Sequence, residues 1–209
     1  MTRRLPLFPL GTVLFPGGPL ALRIFEKRYI DMVSRCLREG TSFAVMLLKE
    51  GAEAGAASVS TAIIGTEARL VDFDRLEDGL LGLTCVGAAR VRILDSWRET
   101  DGLNVADVED VAIEPAMPVP GDCAHLVQAL RGLYPQLPAV YEQWIAPDYD
   151  NACWVGNRLS ELAPFDSTVR QQLLEMTDPV ARLRYLAPLV RLDDGNRTTV
   201  RSGRAQERS

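Results

Sequence analysis

The N-terminal part of the chain changes its hydrophobic period twice. Apolar residues stand on both faces of a first segment, Leu5–Leu10, which is typical of a strand covered on both sides. Pro6 and Pro9 cannot donate ladder hydrogen bonds, so this strand is predicted at a sheet edge or at the lip of a barrel. Residues 20–25 then alternate as a half-buried strand does, and a helical stripe follows that Gly40 would end.

Further short strands are predicted up to Val111. The continuous apolar run Ser42–Leu48 is typical of a strand buried on both faces. Two Asp-Gly pairs separate β-rich runs and predict hairpins. The predicted strands around them are Thr61–Phe73, Leu80–Val86, Ala88–Glu99 and Leu103–Val111. Residues 1–113 therefore hold about six or seven strands and one helix, which is enough to close a small barrel.

The second half of the chain has a helical pattern. A Pro-rich linker, residues 114–121, precedes a predicted helical subdomain over residues 122–192. Four amphipathic segments begin there, each at an acidic residue that can cap a helix: Asp122, Asp150, Asp166 and Asp178. Pro188 predicts a kink or an early end of the last helix.

Two segments are predicted to lack regular structure. The Gly-, Ala- and Glu-rich stretch Lys49–Ser58 is typical of a mobile surface loop. The polar tail, residues 193–209, has the composition of a disordered segment. A second copy of the chain, in a homodimer, is a candidate to hold this tail.

Three stretches resemble a known family. The run LPLFPLGTVLFPG at Leu5–Gly17 and the block Ile24-Phe25-Glu26-x-Arg28-Tyr29 are similar to the start of the Lon protease N-terminal domain. Residues 173–183 resemble its closing helices. The resemblance implies an α+β fold, a PUA-like β-barrel followed by an α-helical subdomain. It also implies a non-catalytic module that binds unfolded or partner polypeptide, with a protease in trans as a further candidate partner.

Charge and cysteine usage limit the functional classes. The net charge of −5 argues against broad nucleic-acid binding, which needs clustered Lys and Arg. The four cysteines are widely spaced, which is typical of small buried hydrophobes in a reducing compartment. No signal-peptide pattern and no apolar run of membrane-spanning length are apparent, so we expect a cytoplasmic protein.

The sequence offers little for catalysis. Its one histidine, His125, is two residues from Cys123, and residues two apart on a helix do not face each other. No phosphate-binding GxxxxGK[ST] motif and no metal-ligand spacing occur. The ATPase and Ser–Lys protease modules of Lon proteases have no counterpart before Ser209. We therefore expect a chain that is not an enzyme, with no catalytic residue, metal or cofactor.

Aromatic residues supply the candidate binding site. A protein that binds unfolded chains needs an apolar groove, an open strand edge, or both. Phe15 lies at a predicted turn tip, and Phe25 alternates away from the core side of its strand. The predicted peptide-binding residues are Phe15, Phe25, Phe8, Tyr29 and Arg28. In the alternative interpretation, Phe15 and Phe25 pack against the helical subdomain.

Two other questions stay open at this stage. Glu26 and Arg28 form either a ligand-facing pair or a structural ion pair, and the second is favoured. RNA binding is the alternative function, because related PUA-like barrels bind RNA, although the net charge disfavours it. It would need a basic face, for which the candidates are Arg23, Arg28, Arg69, Arg90 and Arg92.

Overall fold

Seven strands and one helix form the first of two units in the computed structural model, which describes residues 2–50, 60–144, 146–192 and 198–200. The units are Met1–Ala112 and Ile113–Ser209. The elements of the first unit are β1 (Arg3–Leu10), β2 (Pro19–Ile24), α1 (Lys27–Glu39), β3 (Phe43–Glu50), β4 (Ser60–Thr61), β5 (Ile64–Arg75), β6 (Leu81–Arg98) and β7 (Asn104–Asp110).

Five of these strands close into a ring. β1 pairs antiparallel with β7 through Arg3–Pro6 and parallel with β3 through Leu7–Leu10. The antiparallel pairs β7–β6, β6–β5 and β5–β3 complete the ring. The predicted barrel is thus confirmed. Among the described strands, the first half of the proline-containing strand β1 pairs only with β7, and its second half pairs only with β3.

Two further strands extend the ring. β2 pairs antiparallel with the first half of β6, from Pro19 opposite Val86 to Ile24 opposite Leu81, and β4 pairs with β3. β6 is one strand of 18 residues, so the prediction of two strands divided at Gly87 is wrong. Small residues follow Gly87 and allow the strand to run on from its pairing with β2 to its pairing with β7.

Two apolar clusters explain why β1 is apolar on both faces. One cluster contains Leu5 and Leu7 with residues of β3, β6 and β7, and the other contains Phe8 and Leu10. Helix α1 contributes its stripe to the second cluster: Tyr29, Met32, Val33 and Cys36. Gly40 ends the helix in the left-handed conformation (φ 63°), as predicted, and its N–H donates to the carbonyl of Cys36.

The second unit is helical, with a short hairpin. Its elements are α2 (Ala124–Leu133), α3 (Ala139–Trp144), α4 (Ala152–Leu162), α5 (Ser167–Glu175), α6 (Pro179–Leu186), β8 (Val190–Leu192) and β9 (Thr198–Val200). The short helix α3 was not predicted. Helix α6 ends just before Pro188, as expected. The mixed α+β class, a barrel followed by helices, is therefore confirmed.

Two of the four predicted helix caps are confirmed. The side chain of Asp166 accepts a hydrogen bond from the N–H of Val169, and Asp178 accepts from the first turn of α6. The prediction for Asp122 is wrong, because a 3₁₀ turn, Gly121–Cys123, precedes α2. The prediction for Asp150 is wrong by one residue, because a β-bridge to Pro118 places Asn151 at the cap of α4.

Two predicted segments lie mostly or partly outside the described residues. They are the surface loop, of which residues 51–59 are not described, and the polar tail, of which only residues 198–200 are described. The boundaries of the linker and of the helical subdomain stay predictions.

Candidate functional site

A pocket of about 300 Å³ lies where β1, β2 and the start of α1 meet. We call it the β2 pocket. Its lining residues are Phe8, Leu10, Ala21, Leu22, Arg23, Ile24, Phe25, Glu26 and Tyr29. The pocket brings together three of the five predicted binding residues: Phe8, Phe25 and Tyr29. Four of the lining residues that the prediction missed, Ala21, Leu22, Arg23 and Ile24, belong to β2, and the alternating pattern of that strand is the signal that could have identified them.

Phe25 is the exposed aromatic residue of this pocket. Leu22 and Ile24 point from β2 into the core, and Phe25 follows on the opposite side with 62% of its surface exposed. The alternation of β2 therefore predicts the orientation of Phe25 correctly. A large apolar side chain held at the rim of an apolar pocket is suited to contact a partner.

Phe8 and Tyr29 form the interior wall of the pocket. Their ring centroids are 4.2 Å apart, and Phe8 also lies 5.7 Å from Phe43. Both Phe8 and Tyr29 are buried, so their part in binding, which stays a prediction, is limited to the wall that they present to the pocket.

Arg28 is held beneath this wall by three contacts. Its Nη2 lies 2.9 Å from Oε2 of Glu26, its Nη1 donates to the carbonyl of Gly102 at 2.9 Å, and its guanidinium lies over the ring of Tyr29. The side chain is buried. The predicted structural ion pair between Glu26 and Arg28 is thus confirmed, and the pair fixes the junction between β2 and α1.

Phe15 is not at the surface, so the prediction of an exposed Phe15 is wrong. The residue is 0% exposed. Backbone hydrogen bonds join Gly17 and Gly18 to Gly87 of β6, and a Cβ at Gly87 would lie 2.2 Å from the carbonyl oxygen of Phe15. Because Gly87 has no side chain, the loop packs directly on β6 and Phe15 turns inward. A glycine inside a strand pattern is the sequence signal for such an approach.

One edge of β2 is available for pairing. Within the described part of the chain, β2 pairs only with β6, and β1 pairs only with β3 over Leu7–Leu10. The β2 pocket contains residues of both strand segments. An extended chain could therefore satisfy its backbone groups along β2 while it places an apolar side chain in the pocket.

A second cavity, of about 380 Å³, lies over the outer face of the sheet formed by β2, β6 and β5. We call it the outer groove. Its lining residues are Ala21, Leu22, Arg23, Asp72, Phe73, Asp74, Leu76, Gly82, Leu83 and Thr84. Phe73 is 59% exposed. Arg23 forms an ion pair with Asp78 of the β5–β6 turn.

A third cavity, of about 480 Å³, has several charged lining residues, among them Arg3 and Glu67. Arg3 contacts Glu67 at 2.5 Å and Asp110 at 2.7 Å, and Ser42 also donates a hydrogen bond to Glu67. The hydrogen bond from Arg3 holds the pKa of Glu67 below its ordinary value. Arg3 and Glu67 therefore satisfy each other within this cavity.

Of the five candidates for a basic face, four are buried or paired and Arg69 is exposed. Arg28 and Arg90 are buried, Arg23 pairs with Asp78, and Arg92 lies 3.7 Å from Glu109. These four arginines are therefore buried or paired with carboxylates within the first unit, so they do not form one exposed basic surface.

Groups suited to catalysis are dispersed. Nε2 of His125 lies 3.2 Å from the carbonyl oxygen of Ala187. Across residues 2–50, 60–144, 146–192 and 198–200, no three His, Cys, Asp or Glu residues are grouped to hold a metal ion.

Cys36, Cys85 and Cys123 are buried, as predicted, and Cys153 is partly buried. Burial raises the pKa of the Cys85 thiol to about 12. None of the helices in the described residues combines the length and apolar character needed to cross a bilayer.

Comparison with known proteins gives consistent matches. The family model for the ATP-dependent protease La (LON) substrate-binding domain matches residues 4–191. A Lon N-terminal domain protein from Xanthomonas campestris has a similar solved structure, with a TM-score of 0.75, 35% identity, and coverage of 89% of this chain and 98% of that one. The N-terminal domain of a Mycobacterium avium complex Lon protease has the same fold, with a TM-score of 0.63, 18% identity, and coverage of 89% and 97%.

Curated relatives are much longer than this chain. Lon protease of Anaeromyxobacter dehalogenans and Lon protease 2 of Myxococcus xanthus are each 25% identical over an alignment of 196 residues that covers 89% of this chain. The match spans 23% of the length of each relative.

A closed barrel extended by two further strands, followed by a helical unit, defines a protein of the Lon N-terminal fold class. The matching family model and the Xanthomonas structure identify the family more closely. The chain belongs to the family of ATP-dependent protease La (LON) substrate-binding domains.

Proposed function

We propose that this chain binds polypeptide segments without altering them chemically, and that it does so at the β2 pocket. The observation that carries the proposal is the exposed ring of Phe25 at the rim of an apolar pocket, beside the edge of β2 that no described strand pairs with. The family name, substrate-binding domain, supports the same role.

Binding would combine two contributions. An apolar client side chain would cover Phe25 and fill the pocket against Phe8 and Tyr29, which contributes about 1–2 kcal/mol for a partly exposed aromatic residue. Backbone groups of the client would pair along β2, as in strand addition to a sheet edge. Because an unfolded client loses conformational entropy when it is ordered, affinity would be modest and tolerant of sequence.

The proposal includes a partner and a compartment. The curated relatives are Lon proteases, so we propose that the captured segment is passed to a protease. A cytoplasmic location is proposed because the cysteines of the chain are free thiols. A homodimer stays a prediction from the sequence.

A peptide-binding assay with two matched variants tests the proposal. Phe25→Ser should weaken binding of apolar peptides about tenfold, because it removes the exposed ring. Ile63→Ser is the control, since Ile63 is 58% exposed in the same unit but outside the β2 pocket. Equal affinities of the Phe25→Ser variant and the parent would contradict the proposal.

RNA binding is separated from peptide binding in the same assay. Affinity for RNA should fall steeply as salt is raised, whereas apolar peptide binding should not. If structured RNA binds and peptides do not, the proposed function is wrong.

A further inference from the structure

The β2 pocket lies along the edge of β2 rather than over one of its faces. Its lining includes every residue of the strand from Ala21 to Ile24, and also Phe25, which follows the strand. Successive side chains of a strand point to opposite faces of the sheet. A cavity that contacts all of these residues therefore lies beside the strand, where the backbone of β2 is accessible.

Hydrogen bonds at both ends of the β2–β6 pair establish the pattern of its ladder. At one end, the N–H of Gly87 donates to the carbonyl of Gly18 at 2.9 Å, and the N–H of Gly17 donates to the carbonyl of Gly87 at 2.7 Å. These are the bonds of a β-bulge, with Gly17 at φ 70°. At the other end, the carbonyl of Leu80 accepts from the N–H of Leu76 at 2.9 Å, so the backbone groups of Leu80 face β5.

The two ends give the same result for the backbone groups of β2. Antiparallel strands alternate between hydrogen-bonded and non-hydrogen-bonded pairs. Counted from either end, Leu20, Leu22 and Ile24 direct their backbone groups to β6. The N–H and C=O groups of Ala21 and Arg23 therefore face the open edge. Within the part of the chain that the structure describes, no further backbone hydrogen bond reaches them.

The edge of β1 at the same pocket is less suited to pairing. Phe8 and Leu10 line the pocket, and Pro9 lies between them. Proline occurs in a strand where its nitrogen faces an unpaired side. Because this half of β1 pairs with β3, the nitrogen of Pro9 faces away from β3, and the open edge of β1 lacks an N–H at that position. A client would therefore pair with β2.

Pairing with β2 determines where the side chains of a client point. Residues directly opposite each other on neighbouring strands place their side chains on the same face. A client residue opposite Leu22 would point, as Leu22 does, toward the apolar cluster that contains Phe8 and Tyr29. The client residues on either side of it, opposite Ala21 and Arg23, would point outward, because those two residues are exposed.

We propose that the client pairs antiparallel with β2, hydrogen-bonded to Ala21 and Arg23, and places its apolar side chain opposite Leu22. Antiparallel pairing is the more stable arrangement per residue. This inference rests on the proposed function, because it assigns the register and the sequence class of the same client. In this register both neighbours of the apolar residue donate an N–H to β2, so neither can be proline.

The register defines the preferred sequence class of the client. The neighbours of the apolar residue point outward and can be polar, whereas the apolar residue itself is enclosed. The preferred client is therefore an extended segment in which polar and apolar residues alternate, which is the pattern of a half-buried strand.

Peptides with one N-methylated amide test the register by fluorescence anisotropy with the full chain. They share a Phe anchor between polar residues and are methylated at the residue before the anchor, at the anchor, or at the residue after it. Methylation removes one N–H and leaves the side chains unchanged. Methylation at either neighbour should weaken binding about fivefold, the effect of one hydrogen bond. Methylation at the anchor should have little effect, because that N–H faces away from β2.

Matched variants of Ala21 test the same register from the side of β2. Ala21→Pro removes an N–H of the open edge and no ladder bond to β6, and it should weaken binding of the unmethylated peptide about fivefold. Ala21→Ser retains the N–H and should bind as the parent does. Urea unfolding shows whether each variant is folded. If Ala21→Pro does not fold, the methylated peptides decide the question with the parent chain.

Any other pattern contradicts the inference. Weakening by methylation at the anchor alone would mean that the client pairs parallel to β2. Equal affinities of the three methylated peptides, or of a folded Ala21→Pro variant and the parent, would mean that the client does not use this register. If, in those cases, Phe25→Ser still weakens peptide binding, the proposed function stands. If no peptide binds the parent chain, the proposed function and this inference are both wrong.

Discussion

The absence of a side chain at Gly87 determines where the side chain of Phe15 lies. The carbonyl oxygen of Phe15 occupies the space that a Cβ at position 87 would need. The same loop is fixed from another side, because the hydroxyl of Thr66 donates to the carbonyl of Leu14 at 2.6 Å. Burial of Phe15 therefore depends on residues that are distant in sequence, whereas exposure of Phe25 follows from its own strand.

Gly87→Ala should destabilise the chain by about 1–3 kcal/mol, because the added methyl group overpacks the contact with the Phe15 loop. Chemical denaturation measures this change. Gly132→Ala is the matched control: nothing lies within 4 Å of a Cβ there, and in helix α2 alanine should be neutral or stabilising. A fully stable Gly87→Ala variant would contradict the packing described for this loop.

Glu67→Gln should lower stability by about 1 kcal/mol at neutral pH, since it removes the charge that Arg3 and Ser42 contact. The pKa of Glu67 is lowered in the folded chain, so its charge stabilises the fold above the unfolded-state pKa of about 4.3. That contribution is lost as pH falls through the folded-state pKa.

Urea unfolding at several pH values tests this linkage. The parent and Glu67→Gln should differ by a constant amount near neutral pH, and the difference should shrink in acid. Glu109→Gln, which removes a looser exposed pair with Arg92, should have little effect at any pH. A Glu67→Gln difference that is independent of pH would argue against a lowered pKa.

At the scale of elements, helix α6 is joined to the segment that precedes α2. Arg182 is fully buried and makes a bidentate contact with Glu114, at 2.8 Å and 2.5 Å. It also donates to the carbonyls of Leu173 and Met176 at the end of α5. The Pro-rich segment is therefore attached to helices of the second unit by a specific ion pair.

Arg182→Met should cost about 3–5 kcal/mol of unfolding free energy, because it removes the guanidinium that pairs with the buried carboxylate of Glu114. The double variant Arg182→Met/Glu114→Leu should recover most of the loss, since it removes both buried charges. Thermal and urea unfolding provide the values. If the double variant is as unstable as the single one, packing by Arg182, rather than its charge, holds these elements together.

Sequence periodicity predicted the elements better than their pairing. The alternation of β2, the stripe of α1 and the caps at Asp166 and Asp178 are local, and each is found in the structure. Ring closure depends on the parallel pair of β1 with β3, which no local pattern encodes. The candidate binding site shows the same difference between locally encoded features and features that depend on long-range contacts.

For the site, the sequence identified Phe8, Phe25 and Tyr29 of the β2 pocket, because all three lie in or next to regular elements. It placed Phe15 wrongly, because a loop side chain is positioned by its distant contact with Gly87. The outer groove was not predicted, since it forms only where β2, β6 and β5 are brought side by side.

At the scale of the whole molecule, the central claim is that β2 and its pocket capture a polypeptide chain. Amide hydrogen exchange of the full chain, with and without a permanently unfolded client protein, tests it most directly. We predict slower exchange on client binding at Leu20–Glu26 and at the amides within Leu7–Leu10, with little change in helices α2 to α6. Protection confined to the second unit, or binding without protection at β2, would contradict the account.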